Sequence, residues 1–289
     1  MELLYYPGCS VEYTAKMYDS SARAVVKALG HELKDVEDWN CCGATTYMAV
    51  HELVSHGNSI RNLAIARKTG ATDLVTVCPA CYLTLLKTNH YFVKEPEFAS
   101  MMNQALKTAG LEYDGGLRVR HLLDVLVKDI GIEAIANAVK KPLTGMKVAC
   151  YHGCMITRPF GEIDSKEKPD VMDRLIRALG AEPVEYPLTA KCCGGMVTNT
   201  ETAKLIPNVA GLISCAKEAG AACISVACPL CHLNLDFYQP EVKAYLGDSN
   251  GMPILYFTQL MGLAFGLPKK ELGFGLELES ADKVVAQFA

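Results

Sequence analysis

One cysteine pattern occurs twice in the chain, and that doubling limits what it can fold into. Cys9 is followed after 31 residues by Cys41-Cys42-Gly43, and after 34 more by "CPAC" at Cys78–Cys81. The second copy runs Cys154, 37 residues, Cys192-Cys193-Gly194, 33 residues, then "CPLC" at Cys228–Cys231. "YPGCS" at 6–10 and "YHGCM" at 151–155 open the two copies. Order, motif type and spacing agree for ten of the thirteen cysteines, which calls for two copies of one unit.

The local patterns repeat with the cysteines. "ELLYY" and "MKVACY" are short β-rich runs entering a Gly-Cys turn. Helical patterns follow over 14–29 and 169–179, closed by Gly30 and Gly180; longer ones over 46–69 and 200–219 are closed by Gly70 and Gly220. "DLVTVCP" and "CISVACP" are apolar runs ending at cysteine, and each CxxC opens a further helix. "LRVRHLLDVL" and "MPILYFTQLMGLAFG" each read as a strand running into an apolar helix. Apolar strands alternating with helices predict parallel sheets covered on both faces. The expected fold is α/β, with two tandem, pseudo-symmetric domains, each a small, mostly parallel, Rossmann-like sheet flanked by helices. The join is expected at "KKPLTG" (140–145), giving domains over 1–142 and 143–289. The ten cysteines then fall at strand carboxyl ends and helix starts, the rim where open parallel sheets bind ligands and helix N-termini favour thiolates.

Composition narrows the partners. With 28 Lys and Arg against 32 Asp and Glu, the formal charge is −4 and no dense basic stripe occurs, so nucleic acid is not expected. Half the residues are apolar and 21% charged, a globular balance. "MELLYYPGCS" does not read as a leader peptide. The longest apolar stretch, 257–267, is interrupted by Thr258 and Gln259 and is too short to span a bilayer. A cytoplasmic protein without direct membrane insertion is expected. In a reducing compartment, clustered cysteines hold metal or carry redox chemistry more often than they form disulfides.

Four chemistries use cysteine in such a pattern. Plain packing accounts for Cys150, Cys215 and Cys223, which lie outside it, but packing asks for no adjacent pair followed by glycine. Structural zinc uses CxxC half-sites and wants four ligands, whereas each half offers five. A strand, Cys-Pro-x-Cys and a helix also lay out a dithiol redox motif, which leaves Cys9, Cys41 and Cys42 unexplained. Iron–sulfur clusters take thiolates, and a Cys-Pro pair is familiar among their ligands. Five thiolates then leave either one spare or a cluster larger or more open than a cube. Adjacent Cys-Cys side chains point apart in most backbones, so both reach one object only across a bend, which Gly43 and Gly194 permit.

Taken together, C-x31-CCG-x34-CxxC and C-x37-CCG-x33-CxxC, with "YYPGCS", "CPACY", "YHGC" and "CPLCHLNL" around them, resemble the paired CCG domains of the B-type subunit of heterodisulfide reductase. The doubled motif is shared with iron–sulfur subunits of glycolate oxidase, lactate-utilisation, anaerobic glycerol-3-phosphate dehydrogenase and thiol:fumarate reductase systems. A chain that begins close to its first motif, with no C-x2-C-x2-C-x3-C segment, favours the free-standing B-type arrangement. The resemblance implies a disulfide oxidoreductase that reduces the coenzyme M–coenzyme B heterodisulfide to two thiols in methane-forming metabolism. It implies two non-cubane [4Fe-4S] clusters, one on Cys9, Cys41, Cys42, Cys78 and Cys81, the other on Cys154, Cys192, Cys193, Cys228 and Cys231, with the small-molecule disulfide between them. The partners it implies are a small ferredoxin-like iron–sulfur subunit of the C type and, through it, a flavin-containing subunit of the A type.

Opening a disulfide takes two electrons and two protons, while iron–sulfur clusters deliver electrons singly. Two clusters flanking the bond suit one-electron cleavage with one sulfur held at each, and this chain shows no Gly-rich dinucleotide loop for a flavin. His152, two residues before Cys154, is the candidate proton donor; His232, beside Cys231, has an equal claim to that role or to a plain structural one. Lys16, Lys191 and Arg158 lie near the motifs as candidates for the substrate's sulfonate and phosphate. The stretch "FTQLMGLAFGL" is expected to be buried or to meet a partner. Two readings stand beside this one: an electron-transfer subunit of a glycolate-, lactate- or glycerol-3-phosphate-oxidising complex, and a zinc-binding structural protein.

Overall fold

The computed structural model describes residues 1–44, 46–195, 197–198 and 200–288. Strands β1 (Glu2–Tyr5), β2 (Glu32–Asp35), β3 (Asp73–Thr76) and β4 (Arg118–His121) form one sheet in the order β2-β1-β3-β4. Strands β5 (Lys147–Tyr151), β6 (Glu182–Pro183), β7 (Cys223–Val226) and β8 (Ile254–Tyr256) form another in the order β6-β5-β7-β8. Every pairing is parallel. The registers match as well: Thr76 faces His121 in the first sheet and Val226 faces Tyr256 in the second. Two α/β units of one topology follow each other in the chain, as the cysteine repeat requires.

The helices that matter for the site are α1 (Lys16–Ala28), α2 (Glu52–Lys68), α3 (Pro79–Lys94), α4 (Leu122–Val125), α5 (Val171–Ala178), α6 (Thr202–Glu218), α7 (Pro229–Phe237) and α8 (Phe257–Ala264). Helix α1 buries Met17, Tyr18, Ser21, Ala22, Val25 and Val26, and α5 buries Val171, Met172, Leu175 and Ile176. Three- and four-residue spacing puts each set on one face. Helices α1, α2, α5 and α6 stop two residues before Gly30, Gly70, Gly180 and Gly220, the glycines expected to end them.

Two features depart from the sequence reading. The helix expected over 46–69 is split into Thr46–Val50 and α2, because His51 takes an extended conformation (φ −143°, ψ 78°). Strands β2 and β6 are unannounced. In β2 only Leu33 is buried, since it lies at the sheet edge, and β6 is two residues long. Edge strands need no apolar alternation, so periodicity misses them.

The two halves share a core. Helix α8 is buried at every position and packs on α1 of the first half, so the apolar stretch goes inside the molecule rather than toward a partner. Tyr18 stacks on Tyr256 with ring centroids 4.0 Å apart and planes 12° apart. Such a pair contributes about 0.5–1.5 kcal/mol beyond its buried area. The Tyr18 hydroxyl donates to the Ala227 carbonyl at 3.1 Å, and the buried hydroxyls of Ser21 and Thr258 are hydrogen-bonded at 2.7 Å.

Ser21→Ala leaves the Thr258 hydroxyl buried without its partner and is expected to cost about 1–3 kcal/mol. Urea unfolding followed by Trp39 fluorescence and by circular dichroism should show one transition at a lower midpoint. Two separate transitions in the wild-type protein would contradict a core shared by both halves.

Candidate functional site

Each half builds its sulfur pocket from three pieces of backbone. In the first half β1 leads through Tyr6-Pro7-Gly8 to Cys9, the start of a single helical turn, Cys9–Glu12. Gly8 has φ 76°, and a Cβ there would lie 2.9 Å from Cys81 Sγ, so glycine is needed to carry Cys9 over the CxxC sulfur. Gly153 repeats this before Cys154, with φ 72° and a Cβ position 3.4 Å from Cys231 Sγ. The shared Gly-Cys pair of "YPGCS" and "YHGCM" is thereby explained.

The second piece is the CCG turn. Gly43 has φ 82°, and a Cβ on it would sit 2.8 Å from Ser55 Cα. Past the turn the Gly43 N–H donates to Cys41 Sγ at 3.5 Å, and the Gly194 N–H to Cys192 Sγ at 3.3 Å. A tyrosine pins each turn: the Tyr6 hydroxyl donates to Asn40 O at 2.7 Å and Tyr151 to Lys191 O at 2.5 Å. Asn62 adds two hydrogen bonds to the Asn40 backbone, and Asn208 donates to Cys192 O. The third piece is the CxxC helix start, with Cys78 and Cys228 at the N-caps of α3 and α7 and Pro79 and Pro229 in the first turn.

These pieces bring all ten repeated cysteines into two sets of five. Cys9 lies in hydrogen-bonding reach of Cys41, Cys41 of Cys42, and Cys78 of Cys81. Cys42 Sγ and Cys81 Sγ are 3.4 Å apart. The second half repeats the order Cys154, Cys192, Cys193, Cys231, Cys228, with Cys193 Sγ and Cys231 Sγ 3.5 Å apart. Cys9, Cys41 and Cys192 are exposed and Cys154 is half-buried; the other six are buried. Among the described residues every cysteine is a free thiol.

Crowding divides the thiols. Hydrogen bonds from Cys42 and Cys9 bring Cys41 down to about 2, and those from Cys154 and Cys193 do the same for Cys192. Donation to these thiolates pushes Cys42 and Cys193 up to about 12. Burial and sulfur neighbours push Tyr6 and Tyr151 far up, so both keep their protons. Five thiols therefore ionise together only if positive charge sits among them. No group of three or more His, Cys, Asp or Glu among the described residues is arranged to hold a lone metal ion. A chain of five sulfurs around glycine-lined backbone fits a polynuclear iron–sulfur group, which takes thiolates at several irons.

The two pockets adjoin. Pro79, from the first half's CxxC, lines the cavity formed by Cys154, Cys192, Cys193, Cys228 and Cys231. Cys78 and Cys228 both bear on the stacked pair Tyr18 and Tyr256. His121 lies there too, fully buried, with Nε2 2.9 Å from Val77 O. Sequence reasoning passes over Tyr18, Tyr256 and His121. The signal available is that His121 and Tyr256 end matching strands.

Of the remaining candidates, His152 lines the cavity of the second five cysteines, with both ring nitrogens engaged. His152 hydrogen-bonds Thr189 Oγ1 through Nδ1 at 2.7 Å and accepts the Met172 N–H at Nε2, 3.1 Å. Burial holds its imidazole neutral, down to about 4. His232 bonds Ile254 O and stacks on Tyr256, and is likewise lowered to about 4 by burial. Arg158 donates to the Lys166 and Ala190 carbonyls, while Lys16 and Lys191 are exposed. Cys150 is buried, and burial pushes its thiol well up. Among the described residues no helix is long and apolar enough to cross a membrane.

The split in thiol acidity has a direct readout. In metal-free protein a thiol-alkylating reagent is expected to modify Cys41 and Cys192 first, at rates that hardly change between about pH 6 and 8. Mass-spectrometric mapping checks this; preferential labelling of Cys42 or Cys193 would contradict it.

Comparison with known proteins agrees with this architecture. The family described as CCG, "Cysteine-rich domain", matches residues 3–86 and 148–236. The chain is 31% identical over 285 residues to the 8-methylmenaquinol:fumarate reductase membrane anchor subunit of Wolinella succinogenes, covering 98% of this chain and 99% of that one. It is 31% identical to the B-type subunit of the ferredoxin/F(420)H(2)-dependent CoB-CoM heterodisulfide reductase of Methanosarcina acetivorans, covering 94% and 92%. Identity is also 31% to an Archaeoglobus profundus protein described as like the B-type subunit of heterodisulfide reductase, covering 92% and 91%. A crystal structure of a hypothetical protein from Helicobacter pylori superposes with a TM-score of 0.78 at 16% identity. The match covers 97% of this chain, which spans about half (52%) of that one, and it shows the fold alone. With two tandem matches over most of its length, the chain belongs to the CCG cysteine-rich domain family and is a relative of the B-type subunits of heterodisulfide reductase.

Proposed function

We propose that this chain is the catalytic iron–sulfur subunit of a multi-subunit reductase that opens the coenzyme M–coenzyme B heterodisulfide into two thiols. In this reading Cys9, Cys41, Cys42, Cys78 and Cys81 hold one non-cubane [4Fe-4S] cluster, and Cys154, Cys192, Cys193, Cys228 and Cys231 hold another, in halves that divide at 142/143. The observation that carries it is the adjacency of two five-thiol pockets, with Pro79 of one half lining the cavity of the other. Neighbouring pockets suit a guest with two sulfur atoms. Bound there, the clusters supply single electrons and a Lewis-acid seat for sulfur.

The chain's own residues do the positioning. Gly8 and Gly153 let the backbone pass close to Cys81 and Cys231, and the CCG turns aim two adjacent thiols at one space. Tyr6 and Tyr151 hold those turns without giving up a proton. His152 ties its Gly-Cys turn to Thr189 and to α5, with both ring nitrogens engaged and the ring neutral. We therefore give it a positioning role, and the two protons that balance the reaction come from solvent. The electrons come from a ferredoxin-like subunit of the C type and, behind it, a flavin-containing subunit of the A type. The setting we propose is cytoplasmic and reducing, where clustered cysteines serve metal and redox chemistry rather than disulfides.

A second reading rests on the Wolinella relative, which aligns with almost the whole chain. Phe237, Tyr245, Leu276 and Leu278 are each at least 50% exposed. They gather on one surface, because Asp236 accepts from Leu278 N and Glu279 N while Lys243 pairs with Glu279. Such a patch suits a membrane or quinol-side contact, and the clusters would then relay electrons.

Anaerobically purified protein should contain iron and sulfide in both halves. Reduced chemically and given the heterodisulfide, it should release both thiols. Cys81→Ser and Cys231→Ser should each lower that rate by about 100-fold or more, since each pocket serves one sulfur. Oxidation by the heterodisulfide without thiol release, together with rapid exchange with a menaquinol analogue, would favour the relay. Colourless protein holding zinc alone would overturn both.

A further inference from the structure

Asn234 lies three residues after Cys231 on α7 and is fully buried. Its Nδ2 donates to Cys193 Sγ at 3.6 Å, a length that suits the larger sulfur atom, and to the Cys193 carbonyl at 3.4 Å. A carbonyl only accepts, so the amide must turn its NH2 end toward Cys193. Thr198 holds the other end, with Oγ1 donating to Asn234 Oδ1 at 3.0 Å. The side chain therefore has one orientation, which rests a donor on a sulfur 3.5 Å from Cys231 Sγ.

The first half has no counterpart. Thr84 occupies the matching place on α3, three residues after Cys81, and turns its hydroxyl back to the Ala80 carbonyl at 2.8 Å. Among the described residues Asn234 is the one side chain other than cysteine that donates to a cysteine sulfur. The backbone N–H groups of Gly43 and Gly194 donate to Cys41 and Cys192 alike, so they make no difference between the halves.

We propose that Asn234 is a positioning residue whose amide N–H on Cys193 makes the group held in the second pocket take up an electron before the group held in the first. This rests on the reading of both pockets as iron–sulfur sites. Reduction adds one electron to such a group and negative charge to its thiolate sulfurs. A donor already aimed at one of them favours the reduced form. No bond breaks and no proton moves in this step. Two groups alike in ligands thereby differ in potential, and single electrons from the partner subunit fill the second before the first.

The test uses anaerobically purified, iron-loaded full-length protein, titrated with dithionite and followed by electron paramagnetic resonance. Wild-type protein should show two one-electron midpoints. Asn234→Thr, which copies the first half, should lower the upper midpoint and leave the other in place. At a fixed potential the ratio of reduced to oxidised second group should fall about tenfold, the worth of one hydrogen bond to a charged group. Thr84→Asn should raise the lower midpoint alone. Unmoved midpoints in loaded Asn234→Thr protein, or an equal shift of both, overturn the proposal. A measurement on unsubstituted protein covers a variant that fails to fold or to take up iron. Poised so that only the upper-potential group is reduced, protein with nitrogen-15 in its asparagine side chains should show a nitrogen coupling to that group by pulsed resonance. Absence of that coupling overturns the proposal whatever the variants do. Wild-type protein without iron removes the reading of the pockets and this proposal together. Iron in both pockets with a single shared midpoint removes this proposal alone.

Discussion

Five sulfur atoms, each within reach of the next and several of them shut away from water, cannot all carry charge unless a cation lies among them. The rest of the fold serves that requirement twice. Chain reversal at Gly8 and Gly153 brings one thiol over the CxxC sulfur, where any side chain would collide or crowd. The glycine after each Cys-Cys pair turns the backbone so that its own N–H meets the first of those sulfurs. Without a bound group the thiols share protons, with Cys41 and Cys192 ionised and their neighbours protonated. A pocket in that state has donors waiting for metal.

Parallel sheets supply the platform. Both CxxC pairs begin helices directly after buried central strands, β3 and β7, so their sulfurs hang on the middle of each sheet. Packing α1 against α8 then sets one platform beside the other, and Tyr18, stacked on Tyr256, donates its hydroxyl to the carbonyl just before Cys228. The pseudo-symmetry is incomplete where it matters for chemistry. Tyr82 meets His121 edge-on in the first half, whereas His232 lies flat on Tyr256 in the second, so tyrosine and histidine exchange places between the repeats. The two pockets are alike in their cysteines and unlike in their surroundings.

Much of this is legible in the sequence because it is local. The cysteine spacing, the strand before each CxxC and the helices stopped by glycine all depend on residues close along the chain. The α/β doubling follows from them, and the family matches over 3–86 and 148–236 agree with it. What escapes is set by tertiary packing. Leu33 gives β2 its one buried contact, too little for a periodic signal. His152 and His232 look like titrating groups beside ligands, yet burial and hydrogen bonds hold both neutral. Tyr18 and Tyr256 are 238 residues apart in the chain and meet only because two similar halves pack face to face. Such a contact leaves no local trace.

The central claim is that two thiolate-bound iron–sulfur groups lie side by side, close enough to share one guest. An anaerobic crystal structure with the heterodisulfide bound tests it most directly. The account predicts iron bonded to cysteines of both sets, with substrate sulfur reaching both groups near Cys78 and Cys228. Single zinc ions in the pockets, or iron groups facing away from each other with no common cavity, would contradict it.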